Sequence, residues 1–135
     1  MTASDPDQDR REQRLRDGPR LDPAASPFWD LRYREAVTPW DAGRTPAALL
    51  DYLPQLAPRR QVVIPGCGAG YEVAAFAAAG HDVVAVDFSP AAVAAAGAVL
   101  GEHAERVRCD DFFTFEAGGR FDLVYERAFL CALPR

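Results

Sequence analysis

The sequence predicts an α/β chain built on a doubly wound parallel sheet, and three features of its 135 residues carry that expectation. Short apolar β-branched runs alternate with alanine-rich segments of helical length. Hydroxyl-proline pairs (Thr45-Pro46, Ser89-Pro90) open two of those segments, and Gly80 and Gly101 close two. A cluster of three glycines, Gly66, Gly68 and Gly70, stands between the first strand and the helix after it.

Residues 1–27 read as a disordered tail. They hold many charges and prolines and almost no large apolar side chains, so they bury too little surface to offset ordering entropy. Glu/Arg pairing allows a short helix around residues 8–16, with no apolar face to dock. Order is expected from Phe28, where residues 28–33 start a short aromatic-rich helix. Residues 37–43 form a turn or loop. Thr45 reads as an N-cap with Pro46 at the first helical position, and the helix runs to about Tyr52. Pro54 and Pro58 close it.

Residues 61–65 are a short β-branched run, continuously apolar from Val62 on, as a fully buried parallel strand requires. A helix follows over 71–79, ending at Gly80. The second strand, 83–86, stops at Asp87. The next helix runs from Pro90 to about Leu100. Residues 107–109 make a weak third strand, Gly118-Gly119 a turn, 121–125 a fourth strand, and 128–133 the start of a helix. Right-handed crossovers place the helices on the sheet faces. The frame is Rossmann-like.

Composition excludes several functions. All 15 basic residues are arginine, against 20 acidic ones, for a net charge of -5, with no basic run to hold nucleic-acid phosphates. At 49% hydrophobic and 26% charged the chain is globular in composition. No stretch of about 18 apolar residues suggests a membrane span, and the polar N-terminus carries no secretory signal, so a cytoplasmic protein is expected. Cys67, Cys109 and Cys131 are isolated and form no metal-ligand spacing with His81 or His103. They read as reduced, partly buried core residues.

The chemistry resides at the glycine corner. There the chain turns sharply and leaves room for a ligand. Asp87 lies 21 residues after Gly66, at the tip of the neighbouring strand, where a carboxylate accepts both hydroxyls of a ribose; its alternative role is to cap the following helix. NAD and S-adenosyl-L-methionine both use such a corner. Three features favour the second. The third glycine comes one place earlier than in the dinucleotide fingerprint. Glu72 sits in the first helical turn, where it repels a pyrophosphate but suits a sulfonium or ammonium. Asp110-Asp111-Phe112-Phe113 follows the third strand, offering a carboxylate, a backbone N–H and an aromatic face to an adenine. Trp29, Tyr33 and Trp40 precede the sheet and can fold across the crevice, where aromatic faces attract a sulfonium. The plainer reading makes Phe28, Trp29 and Tyr33 a helix's core stripe. Arg127, after the fourth strand, either polarises an anionic acceptor or pairs with Glu126 or Glu35 on the surface.

The run Trp29…Thr38-Pro39-Trp40-Asp41-x-Gly43, then IPGCGAGYE, VAVDFSP, CDDFF and FDLVYERAFLCALP, resembles the thiopurine S-methyltransferase family, with its plant thiol/halide and bacterial relatives. The resemblance covers roughly residue 28 to the C-terminus. It implies a class I methyltransferase fold, seven strands in the order 3-2-1-4-5-7-6, of which this chain supplies about four in the order 3-2-1-4. Residues 28–135 are then the N-terminal part of a methyltransferase domain with an aromatic lid over 28–60. It implies S-adenosyl-L-methionine as donor and a small, soft acceptor of thiol, halide or selenium type. By position, Trp29 and Trp40 lie over the donor, with Trp40 also beside the acceptor. Gly66 and Gly68 meet its methionine part, Asp87 its ribose, and Asp111 and Phe112 its adenine. Arg127 faces the methyl-transfer site.

No His/carboxylate pair is required as a base and none is assigned, because methyl transfer from a sulfonium is mainly a matter of positioning. Missing strands suggest a truncated piece of a longer protein, or a short product that binds its donor weakly, with little or no turnover alone. The expected partner is a small-molecule acceptor, with no nucleic acid or membrane, and the expected state is a monomer. An NAD(P)-binding oxidoreductase fragment and a non-catalytic remnant are the competing readings.

Overall fold

A computed structural model describes residues 5–134; the first four residues of the expected tail and residue 135 of the expected domain lie outside the described residues. Four strands form one parallel sheet in the order β3-β2-β1-β4, as expected. They are β1 (Gln61–Pro65), β2 (Asp82–Asp87), β3 (Val107–Cys109) and β4 (Leu123–Val124). Gln61 pairs with Asp82 and Pro65 with Val86, so β1 and β2 run in full register, and Asp87 pairs with Cys109. Burial is continuous along Val62–Pro65 of β1, which is why that strand shows no polar alternation.

The central helices start and stop where the sequence says. The α4 helix (Tyr71–Ala78) ends before Gly80, whose φ of 89° suits a glycine. The α5 helix (Pro90–Leu100) takes Ser89 as N-cap, its hydroxyl accepting from Ala92 N at 3.1 Å. Phe76 of α4 is fully buried and packs with Val62, Ile64, Val73, Val83 and Ala85. That core fixes the sheet's orientation, and the carboxyl ends of β1, β2 and β3 open onto one side.

Four elements depart from expectation. Helix α1 (Pro6–Asp17) runs through the segment read as a disordered tail, somewhat longer than the short helix that Glu/Arg pairing allows around residues 8–16. Asp5 caps it, acids fill its first turn and arginines its last, and Arg14 reaches Glu35 at 2.7 Å, yet none of its residues is buried. Helix α2 (Ser26–Arg34) begins two residues before Phe28, with Pro27 in its first turn. In α3 (Ala47–Tyr52) the N-cap is Pro46, not Thr45; the Thr45 hydroxyl instead donates to Tyr71 O at 3.3 Å, tying this segment to α4. The expected C-terminal helix is a short 3-10 turn over Leu130–Ala132: Ala128, at φ 61°, is not helical, and Leu133, before Pro134, is extended.

Among the described residues, no helix is long and apolar enough to cross a membrane. Of the thiols only Cys67 is buried; Cys109 and Cys131 are exposed, contrary to the core role expected of all three. The weak strand β3 and the β4 loop leave them outside the packed layers.

Candidate functional site

At the carboxyl end of the sheet lies a cleft of about 630 Å³, a size that suits a small-molecule site. Its floor is the loop between β1 and α4. Gly66 (φ 58°) and Gly68 (φ 54°) hold left-handed backbone there, and side chains at either would collide. A Cβ on Gly66 would enter the Phe129 ring, and one on Gly68 the Tyr33 hydroxyl. The glycines are therefore required by close cover as well as by the turn.

Asp87 ends β2 beside this loop and is buried. Its Oδ2 accepts from Gly68 N and its Oδ1 from Ser89 N, each at 3.0 Å. Burial raises its pKa above the ordinary 3.8, and the two N–H donors oppose that rise. Each carboxylate oxygen keeps a second lone pair for a ligand hydroxyl. The backbone carbonyl of Asp87 accepts from Asp110 N at 3.1 Å, which sets the Asp110–Phe113 turn at the cleft edge. In that turn the Asp111 carboxylate accepts from Phe113 N at 2.9 Å, and Phe112 packs edge-on to Phe129.

The opposite wall comes from α2 and the loop after it. Trp29 and Tyr33, one turn apart on α2, both line the cleft and neither is buried in the core, so the core-stripe reading of this helix fails. Trp40 meets Trp29 edge-on at 5.5 Å and Tyr33 at 5.8 Å, and its Nε1 donates to the Tyr33 hydroxyl at 3.2 Å. Burial pushes the Tyr33 hydroxyl well above the usual tyrosine range, so it stays protonated. The Cys67 thiol is pushed up likewise, by burial first and then by Asp87 and Glu72, and remains a thiol.

Arg127 closes the ring. It pairs with neither Glu126 nor Glu35. Its Nε stands 3.5 Å from Glu72 Oε1, and its Nη2 donates to Trp40 O at 3.2 Å. Glu126 instead accepts from Phe129 N and Leu130 N, and Glu35 is taken by Arg14.

All eight residues singled out from the sequence (Trp29, Trp40, Gly66, Gly68, Asp87, Asp111, Phe112 and Arg127) thus line one cleft. Sequence reasoning missed Tyr33 as the cover of Gly68, Phe129 as the cover of Gly66 and Glu72 as the partner of Arg127. Only the fold brings those pairs together. Five carboxylates line the cleft (Asp41, Glu72, Asp87, Asp110 and Asp111) against one cation, Arg127. Among the described residues, no group of three His, Cys, Asp or Glu side chains could hold a metal ion.

The family model for thiopurine S-methyltransferase (TPMT) matches residues 24–135. The chain belongs to the thiopurine S-methyltransferase family. Among this family member's relatives, a probable thiol methyltransferase 2 of Arabidopsis thaliana is 32% identical over 110 residues, covering 77% of this chain and 48% of the relative. A thiopurine S-methyltransferase of Xanthomonas campestris pv. campestris is 32% identical over 126 residues, covering 79% of this chain and 58% of that protein. The chain spans about half the length of the curated relatives it matches. Among solved structures, a magnesium protoporphyrin IX methyltransferase from Synechocystis PCC 6803 with bound S-adenosylmethionine shares the fold at a TM-score of 0.55 and 17% identity, over 99% of this chain and 67% of that one.

Proposed function

We propose that this thiopurine S-methyltransferase family member binds S-adenosyl-L-methionine in the cleft and serves methyl transfer to a small, soft acceptor of thiol, halide or selenium type. The charge of the cleft carries the reading. Five carboxylates around one arginine repel the pyrophosphate of a dinucleotide and favour a cationic ligand, which argues against the NAD(P) reading. The faces of Trp29, Trp40 and Phe112 suit a sulfonium and an adenine.

The residues fit the donor in size, charge and chemistry. Asp87 would accept the ribose hydroxyls, Gly66 and Gly68 would leave room for the methionine part, and Asp111 with Phe112 would frame the adenine. When bound, the donor supplies an already activated methyl group. The chain's own share is to hold two reactants in line and exclude water under the Trp29–Tyr33–Trp40 wall. Arg127 is paired with Glu72, so it orients an acceptor more than it attracts an anion. The names of the relatives, thiol, thiocyanate and thiopurine methyltransferases, all point to sulfur acceptors.

Calorimetric titration tests the donor half. S-adenosylhomocysteine is expected to give saturable heat and NADH none. Heat from NADH alone would move the protein to the oxidoreductase reading, and silence with both would make it a non-binding remnant. For the acceptor half, whatever labelled methyl the chain transfers is expected to reach an aryl thiol or thiocyanate in preference to an amine; equal labelling would remove the soft-acceptor assignment.

A further inference from the structure

Helix α2 carries two of the aromatic groups that wall the cleft, yet it buries no residue. Apolar packing alone does not hold it. Its polar contacts converge on the segment directly after Asp87. Ser26 Oγ donates to Phe88 O at 2.7 Å. Asp30 Oδ1 accepts from Ser89 Oγ at 3.0 Å and from Ala91 N at 2.8 Å, while its Oδ2 faces Arg34 Nε at 3.2 Å.

Ser89 is the hub of this arrangement. It is fully buried, its N–H donates to Asp87 Oδ1, its hydroxyl donates to Asp30, and the same oxygen accepts from Ala92 N. Ser89 caps α5 through Ala92 N, and Asp30 takes the Ala91 N–H that the serine leaves free, so the carboxylate from α2 completes the start of α5. One turn beyond Asp30, the Tyr33 hydroxyl covers Gly68, whose N–H donates to the other Asp87 oxygen. Hydrogen bonds run from Gly68 through Asp87 and Ser89 to Asp30, and the backbone of α2 carries on from there to Tyr33, whose hydroxyl stands over Gly68.

We propose that Asp30 is a positioning residue which registers the aromatic wall of α2 on the loop that holds Asp87, so that wall closure and ligand binding at Asp87 share one hydrogen-bonded chain. The binding half rests on the function proposed above; the anchoring half does not. Asp30 itself touches no ligand in this scheme. It acts through Ser89 on one side and through the helix, to Trp29 and Tyr33, on the other.

Trp29 and Trp40 are the chain's two tryptophans and both face the cleft, so intrinsic fluorescence reports the wall directly. The ligand-free chain is compared with Asp30→Ala, Asp30→Asn, Ser89→Ala and the Asp30→Ala/Ser89→Ala double variant. All are checked for folding by circular dichroism. Acrylamide quenching should rise in Asp30→Ala, and S-adenosylhomocysteine affinity should fall about tenfold. Asp30→Asn keeps an acceptor oxygen for Ser89 and Ala91 and should restore both readouts towards the parent. The double variant should lose less than the sum of the single losses, since both single changes break the same bond. Unchanged quenching in a folded Asp30→Ala, or additive losses in the double variant, would overturn the proposal. Should Asp30→Ala not fold, Asp30→Asn decides it: parent-like quenching and affinity support the acceptor role, and a loss as large as that of Ser89→Ala refutes it. A parent that binds no S-adenosylhomocysteine refutes the functional reading and the coupling, while quenching still decides whether Asp30 anchors α2.

Discussion

Arg127 and Glu72 stand 3.5 Å apart across the cleft, the carboxylate almost wholly buried and the guanidinium partly exposed. They are brought together by the crossing of the β4 loop over the start of α4. The arginine also donates to Trp40 O, so one side chain ties three segments. Arg127→Ala removes the cation and leaves a buried carboxylate without its partner. Because the arginine is partly exposed, the loss should be about 1–2 kcal/mol, below the cost of breaking a fully buried pair. Thermal denaturation should show a melting temperature lower by several degrees, and Glu72→Gln in the same chain should recover part of it. An unchanged melting temperature would show that water already satisfies Glu72.

Gly68→Ala meets two obstacles at once. Its backbone lies at φ 54°, and the new methyl group would strike the Tyr33 hydroxyl. The left-handed conformation costs about 1–2 kcal/mol for a residue with a side chain. The second effect is specific: the Tyr33 side chain must swing aside, away from its bond to Trp40. Tryptophan fluorescence should shift without ligand, and S-adenosylhomocysteine affinity should fall by at least about tenfold. Destabilisation with an unaltered fluorescence spectrum would mean that Tyr33 does not rest on the loop.

Asp87 predicts a pH dependence. Burial raises its pKa above 3.8, so the folded chain takes up this proton at a higher pH than an unfolded one does. On sign, the group favours folding most when protonated, and its contribution falls as pH rises through that window. Ligand binding runs the other way, because ribose hydroxyls donate to the ionised form. Affinity for S-adenosylhomocysteine should hold at neutral pH and then fall with acidification, before the pH reaches 3.8. Calorimetry across that range checks it. An affinity that stays flat down to the ordinary aspartate range would remove Asp87 from the binding role.

The legible part of this protein was local. Residues 61–65 could be read as a buried strand because continuous apolar β-branching suits little else of that length, and Ser89-Pro90 marks a helix start wherever it occurs after a strand. Gly66, Gly68 and Asp87 were legible together because strand, turn and neighbouring strand place them at one corner at a fixed sequence spacing. Trp29, Trp40, Asp111, Phe112 and Arg127 stood out by their places around that corner, and the family motifs added a role for each. Thr45 and Ala128 depart from their local preferences. Local preference gave Thr45 a cap and Ala128 a helix. A distant contact overrides the first, because Tyr71 O claims the threonine hydroxyl; a local turn overrides the second, because Ala128 has a positive φ and Glu126 takes the N–H groups of Phe129 and Leu130.

What the sequence determined alone was the alternation of strands and helices, the glycine corner and the acid beside it. These follow from interactions within a few residues or from a repeating period. Only the tertiary structure decided which distant groups would meet: Arg127 with Glu72, Tyr33 with Gly68, Asp30 with Ser89. Each pair is separated by tens of residues. The energy that selects it comes from burying the Phe76 core and docking α2, to which no short stretch of sequence has access.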